Sequence, residues 1–577
     1  GTWQTAVFAG IPVALAILSG HTTSLIYIGL ATAIFLLYLL LTNCPRTLVL
    51  RQALIAGIVG LLLSGIQLLP LIEFSASSAR VAEATFEFAS RFSMPFGHLV
   101  TLLVPEYFGE PTRAGYWSVP NFTELTYYAG LLPLLGIPLA IRRPTYRTWL
   151  YLALIVIGLL LALGQYGFLY RLAYNLLPPF RLARAPGRAA YLFTFGVAGL
   201  LADTLTVWRA AAVAQRREWL GSWWRWLVGI TAVLGLTTLV AIGAVFASVH
   251  PTDTSGRLWH QIGGWAWAVL LLVTGGLLLW HVLTSENINT RRYLVWGLLL
   301  FVVIDLWTFG YKFIQTAPVA VDPFWTEARQ IIGETDQRVL PWGLNIFLQN
   351  GAKEVGLRSV FGYNALEVAA NIELAASVPD PRSTAYDVLG VAYVLSQGPL
   401  DNYLDGERPL SFVGNGEHVW VYQRARVLPI VRLVGQAEVI PDRQLAINRV
   451  HAPDFNPETA VILSDSPDCE PAPPTNSHAR VLTSTPGYWQ IETTSDTPAI
   501  LVVSETAYPG WQVNIDGQPA QPLTAYTAIR AVCVPPGTHI VEWQFVPRIF
   551  WEGGALTLVG FLILGWAYWR NRLAVKM

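Results

Sequence analysis

Three arginines fall within eight residues, Arg181, Arg184 and Arg188, in a segment, Tyr166–Arg188, that also holds Arg171 and no acid. A guanidinium presents a planar fork of donors that matches phosphate oxygens, so such a cluster could hold a phosphate. Pro178, Pro179 and Pro186-Gly187 shape the same segment, and the apolar, aromatic run Phe168–Leu177 could lie in a membrane interface as an amphipathic helix. The equally open alternative is arginines that snorkel or pair with anionic lipid. A second group lies upstream, in Glu73–Leu125: Glu73, Arg80, His98, Glu106, Glu110, Arg113, Tyr116, Asn121 and Glu124, with Tyr107 and Trp117. Carboxylates here could bind sugar hydroxyls, help hold a divalent cation or do acid–base work, and the rings could stack on the apolar face of a sugar. The plainer reading is a solvated loop in which Glu73 and Arg80 pair with each other. Asn121-Phe122-Thr123 matches a glycosylation sequon, a pattern common by chance.

Two further residues stand out against apolar surroundings. Asp305 lies inside a hydrophobic run, where an acid is costly and either functional or hydrogen-bonded to a neighbouring helix. His21 follows the first apolar run, at a helix end or in contact with substrate. No Cys-x-x-Cys, His-Glu-x-x-His or nucleotide-binding glycine loop occurs, which argues against a nucleotide-sugar enzyme or an ATP-driven pump, and no metal ligands are assigned.

These residues are carried by a hydrophobic chain. Of 577 residues, 53% are hydrophobic and 13% charged, about half the charge of soluble domains. The mean hydropathy is +0.45. Net charge is zero, so no basic surface points to nucleic acid. Ten apolar runs are candidate membrane helices: Trp3–Ser19, Thr23–Thr42, Gln52–Ile72, Thr126–Ile141, Trp149–Gln165, Ala189–Trp208, Trp226–Val249, Gly263–Leu283, Tyr293–Tyr311 and Trp551–Trp569. Arg46 and Arg51, Arg142, Arg143 and Arg147, Arg209, Arg216, Arg217 and Arg225, Arg291 and Arg292, and Arg570, Arg572 and Lys576 then share one side, the cytoplasm. The loops 73–125 and 166–188 and the stretch from Lys312 to Phe550 face outward. Gly1 is followed at once by an apolar run with no basic start or cleavage pattern, so the chain reads as N-terminally incomplete.

Between Phe313 and Arg548 acids outnumber bases 25 to 14, as in a solvated domain. Residues 313–426 read as mixed α/β, with a helix at Pro323–Ile332 and strands at Val391–Ser396 and Val419–Gln423. Residues 427–548 read as a β-sandwich. Trp511, Val513 and Ile515 alternate with polar residues, as do Val541, Trp543 and Phe545. Asp516-Gly517, Pro509-Gly510 and Pro536-Gly537 are turn signals, and Glu470–Pro474 a stiff entry to this part. Cys469 and Cys533 could pair, since both lie outside; Cys44, at a span end, reads as an inert thiol.

Several stretches occur in a suggestive order: Ser19-Gly20-His21, Leu69-Pro70 with Glu73 and Ser78-Ala79-Arg80, Pro105-Glu106-Tyr107-Phe108-Gly109, Asn121, Glu124 and Tyr128-Ala129-Gly130. Phe180-Arg181, Arg184-Ala185-Pro186-Gly187-Arg188, Asp305-Leu306 and Gly390–Leu395 follow. Val503-Ser504-Glu505, Tyr508-Pro509-Gly510-Trp511, Val534–His539 and Pro547 close the series before a final span. The ordered set resembles the YfhO family of bacterial membrane proteins, which is similar to glycosyltransferases of the GT-C class. The resemblance implies a polytopic helical bundle, 1–312, and an extracytoplasmic α/β plus β-sandwich region. A C-terminal transmembrane helix with a cytoplasmic tail, 549–577, would complete it, in a bacterial cytoplasmic membrane. It also implies transfer of a sugar from a polyprenyl-phosphate carrier to an envelope glycan or polymer, with membrane lipids as the other partner. That class keeps its catalytic carboxylate in the first outer loop, expected upstream of Gly1, so the role is given to no residue here. A transporter or flippase of lipid-linked glycans, or a scaffold for envelope assembly, are the alternatives.

Overall fold

The computed structural model describes residues 2–576 apart from 43, 79–84, 113–114, 119–120, 183, 248–252, 315–320, 345 and 365. Arg80 and Arg113 therefore lie outside the described residues. The chain forms two compact units: Gly1–Ser64, Glu83–Ala317 and Thr557–Met577 make the first, Gly65–Ala82 and Pro318–Leu556 the second.

The longer apolar helices are, in chain order, α1 Trp3–Leu18, α2 Thr22–Leu41, α3 Arg46–Leu63, α4 Gly65–Ala76, α5 Leu131–Arg142, α6 Tyr146–Ala162, α7 Phe168–Leu176, α8 Ala190–Ala210, α9 Val213–Ala247, α10 Asp253–Thr284, α11 Ile288–Gly310 and α12 Arg548–Lys576. Among the described residues six stretches are long and apolar enough to cross a membrane: Thr22–Leu41, Arg46–Leu63, Pro186–Ala210, Gly256–Thr284, Ile288–Phe313 and Arg548–Arg572. Their outward faces carry Leu37 and Leu41, Leu299 and Val303, Phe561 and Leu562, a surface suited to lipid rather than water. The protein is membrane-embedded. Where helices meet, small residues let them close: a Cβ on Gly10 would lie 2.7 Å from Val59, and one on Gly60 2.5 Å from Val13, so α1 and α3 pack backbone to backbone.

Several spans differ from the sequence reading, and α6, α10, α11 and α12 each take in flanking residues, Arg147, Arg291, Arg292, Arg570 and Arg572 among them, that were expected in loops. The run from Thr126 is extended to Gly130, whose φ of +80° needs glycine, and α5 starts only at Leu131. At 12 residues α5 is about 18 Å long, too short to cross a bilayer unaided. The third run breaks at Ser64, and α4 continues from Gly65 with Pro70 inside it. Arg216, Arg217 and Arg225 are helical, because α9 begins at Val213 and only two residues separate it from α8. Arg216 is positioned there by function of geometry: its guanidinium donates to the carbonyls of Ala211 (2.9 Å) and Leu283 (3.1 Å), satisfying the C-terminal ends of α8 and α10.

In the first unit a two-residue ladder, β1 Gly109–Glu110 with β2 Gly115–Tyr116, closes the loop before α5. Among the described residues the second unit holds three sheets. The first is mixed: β3 Arg338–Pro341, β4 Arg358–Ser359 and β5 Val391–Ser396 run parallel, and β6 Ser411–Asn415 and β7 Trp420–Gln423 add antiparallel, in the order β4-β3-β5-β7-β6. The helix Pro323–Ile332 buries Phe324 and Trp325 against it. The second sheet contains β8 Val431–Val434, β9 Gln436–Val439, β10 Ala460–Leu463, β13 Ala499–Thr506, β16 Leu523–Ala525 and β17 Ile529–Val534. The third contains β11 Ser477–Thr485, β12 Tyr488–Ser495, β14 Trp511–Ile515, β15 Gln518–Ala520 and β18 Gly537–Phe545. Leu501, Val503, Val532 and Val534 of one sheet pack on Ile491, Val513, Val541 and Trp543 of the other, which makes a sandwich. Asp516 and Gly517, at φ +48° and +78°, turn β14 into β15. Between the sheets Arg530 is buried with its guanidinium 3.8 Å from the Trp511 ring centre, and Trp489 and Trp543 complete the box. Burial pulls its pKa down to about 10. Cys469 and Cys533 form a disulfide, with Cα atoms 6.3 Å apart.

Candidate functional site

The first unit brings together residues that the sequence had shown only as separate groups. Asn121 accepts the Glu124 N–H through Oδ1 (2.9 Å), an Asx turn that orients Glu124. From the other side, Ala185 adopts φ +67°, a left-handed conformation strained for a residue with a Cβ and, before Pro186, barred from the helical region. The turn Pro186–Ala189 then leads into α8 and presents Arg188. Gly187 makes the approach possible: a Cβ there would sit 2.6 Å from the Glu124 carbonyl. The Arg188 fork grips Glu124, with Nε donating to Oε2 at 2.5 Å and Nη2 to Oε1. Its Nη1 faces His21 Nε2 at 2.9 Å. His21 in turn caps α2, its Nδ1 lying 3.1 Å from the Ser24 amide and 2.9 Å from the Ser24 hydroxyl.

These three residues, with Ser24, Tyr27, Thr123, Tyr127 and Tyr191, line a cavity of about 290 Å³. Tyr27 is 1% exposed, and its hydroxyl has no partner among the described residues. A buried hydroxyl without a partner is costly unless something polar meets it. Below the cavity runs an apolar groove of about 410 Å³ between α2, α6 and α8. Tyr191 lines both. Their lining residues succeed one another, Ser24, Ile28, Ala31, Thr32 and Phe35 along α2, and Arg188 in the turn before α8 followed by Tyr191, Leu192 and Phe195 along it. A polar head and a long apolar tail fit such a track.

The other two arginines of the cluster are held elsewhere. Arg181 is exposed and donates to the carbonyls of Tyr174 and Asn175 at the end of α7, both at 3.3 Å. Arg184 stacks on Phe92, its guanidinium 4.7 Å from the ring centre. The expected single phosphate site of three arginines is thus one arginine in the cavity with two neighbours, and the cavity arginine already holds a carboxylate.

A second cavity of about 350 Å³ gathers Glu106, Lys312, His260, Asp305, Tyr128, Trp259 and Trp267. Lys312 Nζ pairs with the Glu106 carboxylate, and His260 Nε2 meets the Glu106 carbonyl at 2.9 Å. Asp305 accepts from the Tyr128 hydroxyl (2.5 Å) and from the Leu131 N–H (2.9 Å). It therefore ties α11 to α5 and caps a helix whose own N-cap, Gly130, has no side chain to do so. Beside this cavity Tyr107 packs edge-on against Trp265, and Trp117 against His260. His98 stacks on Phe108 and meets the Tyr116 and Ser118 hydroxyls, and burial holds its pKa below the usual value; it supports the β1–β2 ladder. Glu110 accepts the Thr112 N–H at 2.7 Å in the same loop.

Glu73 stands apart from this set. It belongs to the second unit, where its carboxylate accepts the Tyr508 hydroxyl at 3.2 Å. Sequence reasoning missed Tyr27, Tyr127, Tyr191, His260 and Lys312. Lys312 had a signal, as one of only three lysines in the chain and the residue that ends a span. The tyrosines had none beyond their place in apolar runs. Among the described residues the one grouping with metal-ligand spacing is Asp468, Cys469 and Cys533, whose sulfurs are bonded to each other. Comparison with family models, characterised proteins and solved structures returned no match to this chain.

Proposed function

We propose that this protein is a membrane glycosyltransferase of the GT-C kind, as its resemblance to the YfhO family implies, moving a sugar from a polyprenyl-phosphate carrier to a cell-envelope acceptor outside the cytoplasmic membrane. The observation that carries the reading is the track from the Arg188–Glu124–His21 cavity into the apolar groove of α2, α6 and α8. In this reading the groove takes the first isoprene units. The remaining Arg188 donors and the Tyr27 hydroxyl meet the phosphate, and Glu124 keeps the guanidinium in place. The acceptor oxygen attacks the anomeric carbon, the bond to the phosphate oxygen breaks, and the lipid phosphate leaves with its charge held by Arg188. The base that takes the hydroxyl proton is assigned to no residue of this chain. The acidic second unit, with its disulfide, suits an oxidising exterior and would meet the acceptor.

Transport of a lipid-linked glycan would use the same track. It calls for polar groups threaded through the spans, whereas buried Asp203 and Asp305 are both engaged, Asp203 with the Thr145 hydroxyl (2.8 Å) and Asp305 as above. Native mass spectrometry of the full chain tests the lipid site, with a C55 polyprenyl phosphate, the uncharged C55 alcohol and a diacyl phosphatidic acid as probes. The polyprenyl phosphate should be retained best, and both Arg188→Ala and Ala31→Trp, which fills the groove, should lower its retention about tenfold. Equal retention of the three probes, or indifference to both changes, overturns the reading. Movement of the carrier across a vesicle without sugar transfer would make the protein a transporter.

A further inference from the structure

The second unit contains a cavity that the proposed lipid site does not use. It measures about 400 Å³ and opens beyond the carboxyl ends of the parallel strands β3 and β4. Open parallel sheets place ligand sites at that edge, because the chain leaves each strand there in a loop free to vary. Pro341 ends β3 and Trp342 follows it into the cavity, with its N–H held by the Leu395 carbonyl at 2.8 Å. Two residues past β4, Phe361 enters from the other side. Its loop is fixed by Asn350, whose side chain accepts the Tyr363 N–H and donates to the Tyr363 carbonyl, both at 2.9 Å.

The walls are aromatic and the polar groups few. Trp342 and Phe361 are half-buried, and Tyr386 packs edge-on to Phe361 with ring centres 6.3 Å apart. Ile372 and Val378 make an apolar floor. Among the described residues Glu367 brings the one carboxylate and Gln349 an amide. Burial pushes the Tyr386 hydroxyl up to about 12, so it remains a donor across physiological pH, and burial also raises the Glu367 carboxyl. Among the described residues no lysine or arginine lines the cavity.

We infer that this cavity is a saccharide-binding site of the second unit, taking a neutral pyranose unit of a glycan. Aromatic faces accept the apolar C–H face of a pyranose. A carboxylate and an amide bind vicinal hydroxyls, and a lining without cations among the described residues leaves phosphate and carboxylate ligands uncompensated there. The volume suits one to two rings. The inference rests on the second unit alone and stands whether or not the lipid track binds a polyprenyl phosphate.

The test is isothermal titration of the full chain in detergent with neutral linear oligomers of hexose and of N-acetylhexosamine, three to six rings long. At least one series should bind in the micromolar to millimolar range, as single aromatic-lined sugar sites do. Trp342→Ala should weaken it tenfold or more. Should that variant unfold, Glu367→Gln decides, with an expected loss of about fivefold at an unchanged unfolding temperature. His478→Ala, on an exposed strand, should bind as the parent does, and Arg188→Ala should bind sugar normally while losing polyprenyl phosphate. Absence of binding by every oligomer overturns the inference, as does binding that survives both Trp342→Ala and Glu367→Gln. Preferential binding of a basic peptide, drawn by the carboxylate, overturns it equally.

Discussion

Removing the Asp305 carboxylate should loosen the first unit through one helix end. Asp305 is 2% exposed and accepts two hydrogen bonds, from Tyr128 and from the first amide of α5. A bond to an ionised group contributes about 1.5–3 kcal/mol. Two of them, less the cost of holding a carboxylate in low dielectric, leave roughly 2–4 kcal/mol for the pair. Asp305→Ala forfeits that sum and strands a hydroxyl and an amide where water is scarce. Asp305→Asn keeps an acceptor for the Leu131 amide and lets Tyr128 turn its hydroxyl, so about 1 kcal/mol should be lost. Membrane proteins unfold irreversibly, so the useful measure is a half-life, read as the fraction eluting as monodisperse protein after heating in detergent. At a fixed temperature the half-life should order as parent, Asn, then Ala, with Ala shortest by a factor of ten or more. Tyr128→Phe should cost less in the Ala background than in the parent, since the two share a bond. An Ala variant as durable as the parent would refute the capping argument. An Asn variant as short-lived as Ala would show that charge, and not acceptor geometry, holds the contact.

Three other perturbations follow from the geometry. Cys469→Ser opens a loop of 64 residues, for which chain entropy gives about 4 kcal/mol, so reductant should lower the unfolding temperature of the parent's second unit and leave the variant unmoved. Arg188→Ala and Glu124→Ala should each destabilise the first unit by roughly 2 kcal/mol, while the double change costs little more than either, because each single change leaves a half-buried charge unpaired. His539, with Asp516 2.6 Å from its Nδ1, has its pKa raised above the usual value, and Asp516 is held below its own. The imidazolium's contribution to the β14–β15 turn is then complete below about pH 6.5 and fades as pH rises through the raised value. The carboxylate's contribution is present above its unfolded pKa and fades on acidification. Hydrogen exchange at the Ile540 amide, which Asp516 accepts, should quicken on both flanks, and Asp516→Asn should remove the dependence.

Much of the second unit was legible because its cues are local. Val391–Ser396 and the helix Pro323–Ile332 coincide with their predicted limits, and Asp516-Gly517 turns where such a pair must. The membrane helices were legible as apolar runs, but their ends were not. Thr126 to Gly130 carries no charge and runs straight into the helix that follows, and the φ of Gly130 and the Asp305 cap mark where α5 starts. Arg216 reads as a loop residue until its carbonyl partners, one of them 67 residues away, show it finishing two other helices. The candidate site was half legible. Glu124 and Arg188 were both singled out, yet as members of different groups, since no local pattern announces a pair 64 residues apart. Asp305 was expected to be functional or hydrogen-bonded to a neighbouring helix, and it makes such a bond. That the partner is a buried helix start without a side-chain cap of its own, 174 residues back, is a tertiary fact.

The second unit is assembled from two pieces of chain, Gly65–Ala82 and Pro318–Leu556, with most of the first unit encoded between them. Its early piece is stitched in by the Ser77 carbonyl on the Ala369 amide, by a bridge from Ser78 to Val368, and by Glu73 on Tyr508. During synthesis α4 therefore leaves the ribosome long before its partners exist. At roughly 5–20 residues per second it waits tens of seconds for Tyr508. Over that interval it is an apolar segment without a fold to join, the natural client of an insertase or a chaperone. A gene truncated to Pro318–Leu556 would yield a unit lacking one of its own pieces, so excising the second unit for study calls for grafting Gly65–Ala82 back onto it.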